Sequence, residues 1–493
     1  MYADLDTAIG VGMTVDDEMT QANRSAGPPG EAGAGSASMP QRLGLAGLCL
    51  GTALIIMEAN VLNVAIPSIR QALHASPAQS LWIIDAYTLV LAALLLSAGR
   101  LGDRIGARRC YLLGLAVFSV ASVLCALAAS SAELIAARTI QGVGAAVLIP
   151  APLGLISAMF SDLTARAKAV AVWVTIGGVG FAAGPLIGGL LVSTFGWRSI
   201  FLINIPAAAI IAVMVRLTVA EASRSPLPFD YVGQALAIVG LSAVVFACVE
   251  SSALAWMSPF VLLPAVAAAL ILGLFVIDQR HRGRAGAWVL LPVELLNNRP
   301  VNAGLMSGFV YNFTLYGLVL VYSYVFQSAR GYSPVQTGLA FAPLTVAALV
   351  TSLPAGRFVA AHGARRGIMI GMALSAIGLC ALAFDAQRMP FVVLSIAFGI
   401  FATGLSLSAT GQTMAVMANA SDQYKNTASS MLNTARQTGG VIGVAALGAI
   451  TSRDLLASAP VALTIAAAAC LVAALGVATL IARHARTHDS DQH

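Results

Sequence analysis

Gly99–Arg109 reads GRLGDRIGARR and Gly356–Arg366 reads GRFVAAHGARR. The two stretches agree at six of eleven positions, and each lies between apolar runs. A loop that recurs together with its flanking runs marks a duplicated unit. Working outward, apolar runs of ~20 residues, the length that spans ~30 Å of hydrocarbon, fall at 43–66, 80–98, 110–130, 134–156, 168–192, 199–219, 231–250, 257–277, 301–326, 335–358, 367–385, 391–416, 427–450 and 461–482. The repeated loop follows the second and the tenth of these fourteen runs. Helices 1 to 6 therefore correspond to helices 9 to 14, with helices 7 and 8 inserted between. The expected organisation is a cytoplasmic tail at 1–41, a six-helix bundle at 42–220, two inserted helices at 221–278, a cytoplasmic linker at 279–300, a second six-helix bundle at 301–482 and a tail at 483–493.

Composition agrees with a chain solvated by lipid. Of 493 residues, 58% are hydrophobic and only 10% charged, against about 25% charged in an average soluble domain. Disorder, a soluble multidomain enzyme and nucleic-acid binding are excluded on that ground. The formal charge of +6 needs no acidic partner, because cytoplasmic loops of membrane proteins collect Arg and Lys. Placing the N-terminus in the cytoplasm leaves Arg70, Arg198, Arg330, Arg388 and Arg453 outside and Arg138 and Arg436 within helices, with the other twenty of the 27 basic residues inside. Both termini are thus expected to be cytoplasmic. Residues 1–41 are polar and rich in Gly, Ser and Pro, without the short apolar core of a signal peptide. The six cysteines stand at least fifteen residues apart in apolar stretches, and the six histidines lie in loops or the tail. No disulfide framework, metal site or cofactor is expected.

Three further stretches sit at the helix positions that this repeat assigns. RTIQGVGAA runs from Arg138 to Ala146 in helix 4, GFAAGPLIGG from Gly180 to Gly189 in helix 5, and EANVLNVAIP from Glu58 to Pro67 in helix 1. With GRLGDRIGARR they resemble the signature motifs of the major facilitator superfamily, and within it the fourteen-helix drug:proton antiporters. The helix 1 motif of that family usually opens with Asp where this chain has Glu58. WIIDAYTLVLAALLL, beginning at Trp82, is similar to helix 2 of the members that export lipophilic cations such as quaternary ammonium compounds. The resemblance covers about residues 43–482. It implies an all-α integral membrane protein of the major facilitator fold, with two pseudo-symmetric bundles in a 6+2+6 plan that alternately expose a site near the bilayer midplane. It also implies proton-coupled export.

The residues speak to that chemistry on their own terms. Among the 21 acidic residues, only Glu58, Asp85 and Glu250 fall within apolar runs, and Glu250 is at a helix end. A carboxylate in the bilayer is costly and is kept by facing a cavity or a partner. Glu58 is the leading candidate for the group that takes and releases the coupling proton. Asp85 is second, with attraction of a cationic drug as its other role. Arg138, at comparable depth, stays charged at any accessible pH and can hold a nearby carboxylate. Asn63, Gln141, Tyr311, Asn312 and Tyr316 are expected to line the substrate cavity, since aromatic faces attract cations. Gly180, Gly184 and Gly188 recur at intervals of four on one face of helix 5. With the kink-prone Pro185, they are expected to form a seam between bundles that opens and closes. In the repeated loop Gly99, Asp103 and Arg104 are expected to form a conformational latch, Asp103 facing the N-terminus of helix 13. Arg436 has no acidic counterpart in its own bundle and is expected to lie near the cytoplasmic end, snorkelling or bonding helix carbonyls.

These readings converge on a proton-coupled antiporter of a bacterial plasma membrane, acting on a small lipophilic or cationic substrate and working as a monomer. Abundant Ala and Arg, with Lys168 and Lys425 the only lysines, point to a high-GC genome. An exporter of an endogenous lipid-like or natural-product molecule and an importer of the same fold are the competing readings. A membrane-embedded transferase lacks an intramembrane His, a Cys pair or a Ser–base arrangement.

Overall fold

Ser38 starts the first helix by a reciprocal cap: its hydroxyl accepts the Gln41 N–H and the Gln41 side chain accepts the Ser38 N–H. The computed structural model describes residues 38–489 except 161, 222–229, 252–253, 255–256, 385–388, 422–423 and 452–453. The same box, followed at once by Pro, starts the second helix at Ser76/Gln79 and its repeat mate at Ser333/Gln336. SPAQ and SPVQ stand at the same 257-residue offset as the two Gly-Arg loops. The duplication is therefore in register from helix cap to loop.

The first bundle comprises α1 (Met39–Ala72), α2 (Pro77–Ile105), α3 (Ala107–Leu127), α4 (Ser131–Leu148, resuming as Ala151–Met159), α5 (Leu163–Phe195) and α6 (Ser199–Leu202 and Asn204–Thr218). The inserted pair is α7 (Tyr231–Glu250) and α8 (Pro259–Arg284), and a one-turn helix at Val293–Asn297 lies in the linker. The second bundle begins with α9 (Arg299–Tyr324), which ends in a π turn at Val325–Ala329. Helix continues from Pro334 to Ala383, a 50-residue stretch interrupted at Phe341. At 1.5 Å per residue that stretch is about 75 Å long, far more than one crossing needs. It is two helices, α10 (334–362) and α11 (364–383), broken where Gly363 adopts φ 84°. The bundle is completed by α12 (Phe391–Ala418), α13 (Lys425–Thr451) and α14 (Leu455–Asp489).

Among the described residues, twelve stretches are long and apolar enough to cross a membrane, with Pro334–Ala383 counted once and α13 not among them. α13 is helical over 27 residues but carries the polar run NTARQTGG, which composition alone passes over. α1 begins at Met39 rather than 43, and α14 runs to Asp489 rather than 482. Hydropathy marks the lipid-bathed part of a helix, whereas caps and solvent let the backbone continue beyond it.

The Gly-Arg loops repeat in three dimensions. Gly106 takes φ 104° and Gly363 φ 84°, a region that L side chains avoid. After the turn, the Arg108 guanidinium donates to the Val219 carbonyl at 3.0 Å and that of Arg365 to the Ala478 carbonyl at 3.4 Å. Each arginine thus ties its loop to the last helix of its own bundle or the residue just after it. Among the described residues, the first copy alone adds an acid. Glu221 accepts the Arg108 and Arg109 N–H groups at 2.8 and 3.3 Å, at the positive N-terminus of α3.

α8 packs on α7 and otherwise faces outward, with few of its apolar residues buried. The inserted pair is not peripheral as a whole, because α7 lies against both α2 and α13. Gln234 of α7 donates to the Ala93 carbonyl of α2 at 2.6 Å and pairs with Ser97. Its start is fixed by Asp230, whose carboxylate caps Gly233 and binds Gln279 and Arg282 of α8. Burial opposes charge on Asp230, but the donors from Gln279, Gly233 and Arg282 outweigh it and hold the carboxyl below the usual range. Its contribution is therefore present above the ordinary carboxylate range and lost as pH falls through the depressed value. Asp230→Ala is expected to cost about 0.5–2 kcal/mol, the worth of a helix cap, seen as a lower melting temperature. A value equal to wild type at pH 7 would show that the cap is dispensable.

Candidate functional site

Five helices of the first bundle bring polar groups to one buried point. Glu58 lies about 28 Å along α1, and Arg138 about 10 Å into α4 from its Ser131 end, by helix rise. Their side chains meet with Arg138 Nη1 2.8 Å from Glu58 Oε1, both essentially unexposed. The same Nη1 donates to Gln141 Oε1 at 2.7 Å, and Arg138 Nε donates to the Ile83 carbonyl of α2 at 3.2 Å. Gln141 Nε2 reaches Glu58 Oε1 at 3.2 Å and Ser122 Oγ of α3 at 2.9 Å. Asn204 of α6 donates to Glu58 Oε2 at 2.9 Å. The Arg138 guanidinium carbon stands 4.2 Å from the centroid of the Tyr87 ring. Both oxygens of Glu58 are thus occupied, and opposite charges cancel within one network.

The sequence placed Glu58 and Arg138 together correctly but assigned Gln141 to the substrate cavity. Gln141 is instead fully buried in the ion-pair network. Asn204, Ser122 and Tyr87 were missed. Asn204 had a readable signal: a polar residue in an apolar run, just after the helix breaks at Ile203, needs a buried partner.

Asp85 is the contrasting case. It lies about 12 Å into α2 from Pro77 and is 0% exposed, yet neither carboxylate oxygen has a hydrogen-bond partner among the described residues. Cys248 of α7 lies close to it. One face of α2 thus supports the Arg138 network through Ile83 and Tyr87, while another holds an acid without a counter-charge.

Of the expected cavity residues in the second bundle, Asn312 donates to Gln437 of α13 at 3.4 Å. The Tyr311 ring stands 5.8 Å from the Arg436 guanidinium. Tyr316 reaches furthest: it packs on Gly440 and joins the apolar core of the first bundle beside Tyr87. Asn63 is fully buried on α1, with a 3.5 Å bond to the Ala59 carbonyl and a free side-chain oxygen. Gly99 and Asp103 lie in the last turns of α2, but their surroundings fall outside the described residues, as do Arg388 and Arg453. Arg104 is exposed in the last turn of α2.

The glycine ladder does not face the other bundle. A Cβ on Gly180 would stand 2.7 Å from the Ala53 backbone, on Gly184 2.8 Å from the Asn60 Cβ, and on Gly188 3.1 Å from the Val61 carbonyl. All three contacts are with α1, so the ladder is packing within the first bundle. The seam is one residue further round α5. Gly189 abuts the Pro334 carbonyl of α10, and Gly338 of α10 abuts the Pro185 carbonyl. Pro185 thus keeps its expected place at the seam while the ladder does not. These contacts lie at the end opposite the termini. So do the Gln327–Val64 carbonyl bond at 3.0 Å, the approach of Gly448 to Leu81, and a cavity of about 210 Å³ lined by Arg70, Leu81, Tyr324 and Gly448. Gly189→Leu, with overpacking of about 1–3 kcal/mol, is expected to hold that end open. Labelling of Leu81→Cys by an impermeant maleimide should then rise. Unchanged labelling would show that the contact does not seal the face.

Comparison with known proteins now settles the family. The Major Facilitator Superfamily model matches residues 48–443 and 304–492. The chain belongs to the major facilitator superfamily. It is similar to the methylenomycin A resistance protein of Streptomyces coelicolor, 33% identical over 92% of this chain and 95% of that one. It is also similar to the drug efflux pump JefA of Mycobacterium tuberculosis, 35% identical over 85% and 82%, and to the methyl viologen resistance protein SmvA of Salmonella typhimurium, 33% identical over 82% and 81%. Among solved structures, a peptide transporter, POT, in complex with sulfate superposes with a TM-score of 0.67 at 15% identity, over 89% of this chain and 94% of that one. This major facilitator is a multi-pass membrane protein.

Proposed function

We propose that this transporter is a proton-driven exporter of drugs and lipophilic cations across a bacterial plasma membrane, with both termini in the cytoplasm. The Arg and Lys distribution supports that orientation. Resistance and efflux relatives support export. The observation that carries the coupling is the contrast between two buried carboxylates, Glu58 paired with Arg138 and Asp85 without a hydrogen-bond partner among the described residues.

An unpaired carboxylate out of water is far more costly as an ion than as an acid. With the outer end closed, Asp85 holds a proton while Arg138 keeps Glu58 ionised. Opening the outer end admits water to the upper turns of α2, and Asp85 exchanges its proton with the outside. Closing it removes that water and selects the protonated form for the inward return, after which the proton leaves to the cytoplasm as a cationic substrate takes its place. A cationic substrate supplies the counter-charge that Asp85 lacks, so substrate and proton compete for one carboxyl. Such competition gives antiport. Tyr87, between the Arg138 network and Tyr316 of the second bundle, supports communication between the coupling residues and the seam.

The test is ethidium uptake by everted membrane vesicles under an imposed pH gradient, acid inside. Uptake should follow the gradient and collapse with an uncoupler. Uptake that persists with the uncoupler overturns the proposal.

A further inference from the structure

Arg436 is a half-buried cation with no acidic partner among the described residues. It lies about 16 Å into α13 from Lys425 by helix rise, and the sequence between Arg299 and Ile481 holds three acidic residues, Asp385, Asp422 and Asp454, of which Asp454, just before α14, is the one described. Its described partners are neutral: Nη2 donates to the Ala409 carbonyl at 3.4 Å and to Thr413 Oγ1 at 3.1 Å, and Nε has no acceptor. The carbonyl bond is the role expected from sequence, but it accounts for only part of the guanidinium.

Next to it, α12 presents two more unmet groups. Among the described residues, Gln412 is 0% exposed with neither amide atom bonded, and Ser408, one turn earlier, is 0% exposed with an unbonded hydroxyl. Buried polar groups are nearly always satisfied, so this concentration beside a lone cation calls for an explanation. Gly308 on α9 shows that the groups converge. A Cβ built there would lie 2.8 Å from Gln412 Oε1 and 3.4 Å from Arg436 Cγ. The missing side chain lets α9 come close to both, so that Gln412 and Arg436 meet at one point on its surface.

We infer that the second bundle holds a binding site for a carboxylate on an otherwise apolar ligand, with Arg436 as its anchor. A guanidinium presents paired N–H donors matched to the two oxygens of a carboxylate. Gln412 Nε2 and Ser408 Oγ supply further donors, and the Tyr311 ring, 5.8 Å from the guanidinium carbon, supplies a face for an apolar group. A cation gains nothing here, because the site already holds an uncompensated positive charge. The inference deepens the exporter reading and rests on it for movement, while binding itself can be read separately.

The experiment is equilibrium binding of radiolabelled 1-naphthaleneacetate and of its neutral amide to the purified full chain in nanodiscs. The acid should bind about 10-fold or more tightly, as a charge-assisted contact provides. Arg436→Gln should abolish that preference, and Arg436→Lys should restore part of it. Gln412→Leu should weaken acid binding while raising the melting temperature, since it removes two unmet polar atoms. Equal binding of acid and amide by wild type, or an unchanged ratio in folded Arg436→Gln, overturns the inference. If Arg436→Gln does not fold, undiminished acid binding by Gln412→Leu overturns it. Absence of proton-driven ethidium uptake would defeat the exporter reading while leaving the acid-to-amide ratio intact.

Discussion

Glu58→Gln is expected to lower the stability of the transporter by about 3–5 kcal/mol, the usual cost of removing one member of a buried ion pair. The substitution preserves shape but leaves Arg138 charged among Ile83, Gln141 and Tyr87, with no anion to balance it. Thermal unfolding of purified protein, followed with a thiol-reactive dye on the buried cysteines, reads this directly. A second substitution, Arg138→Met, should recover much of the loss, because the pair is then replaced by two neutral side chains. A double-mutant cycle isolates that coupling. A melting temperature unchanged by Glu58→Gln would mean that the pair is solvated or open in the membrane, and the assignment of Glu58 as a fixed ion would fall.

Asp85→Asn has the opposite signature. No charge depends on Asp85, so stability should stay within about 1 kcal/mol of wild type, as for changes that leave no buried group uncompensated. Transport should change in kind. Uptake into everted vesicles should lose its dependence on the pH gradient, and a dication such as methyl viologen should suffer more than monocationic ethidium. Normal gradient dependence in Asp85→Asn would return the coupling role to Glu58 or to a group outside both.

The proposed order of the two carboxylates differs from the one that sequence spacing suggests. From sequence, Glu58 ranks first because helix 1 lines the cavity in this fold. Sequence spacing conveys depth along a helix but not the partners that converge from others. Arg138 was legible as a partner because an intramembrane Arg is rare. Asn204 and Ser122, which complete the saturation of Glu58, are ordinary residues whose importance lies in where α6 and α3 bring them. The fold was far more legible, since its signals are local or periodic: apolar runs, Ser-Pro caps and a Gly-Arg loop repeated at one offset. The glycine ladder failed for a subtler reason. A four-residue interval identifies a face without saying which neighbour meets it, and the true seam, through Gly189, lies only about 100° further round the helix.

α7 lies along one of the two seams between the bundles, touching both α2 and α13 where those helices meet, whereas at the other seam α5 meets α10 with no added helix among the described residues. A rocking motion about such an arrangement is lopsided. The wedged side behaves as the spine of a book and the α5/α10 side as its fore-edge, where the pages part widest. Compounds dissolved in the lipid leaflet would enter along that fore-edge. Two added helices thereby give a duplicated, nearly symmetric machine a handed opening.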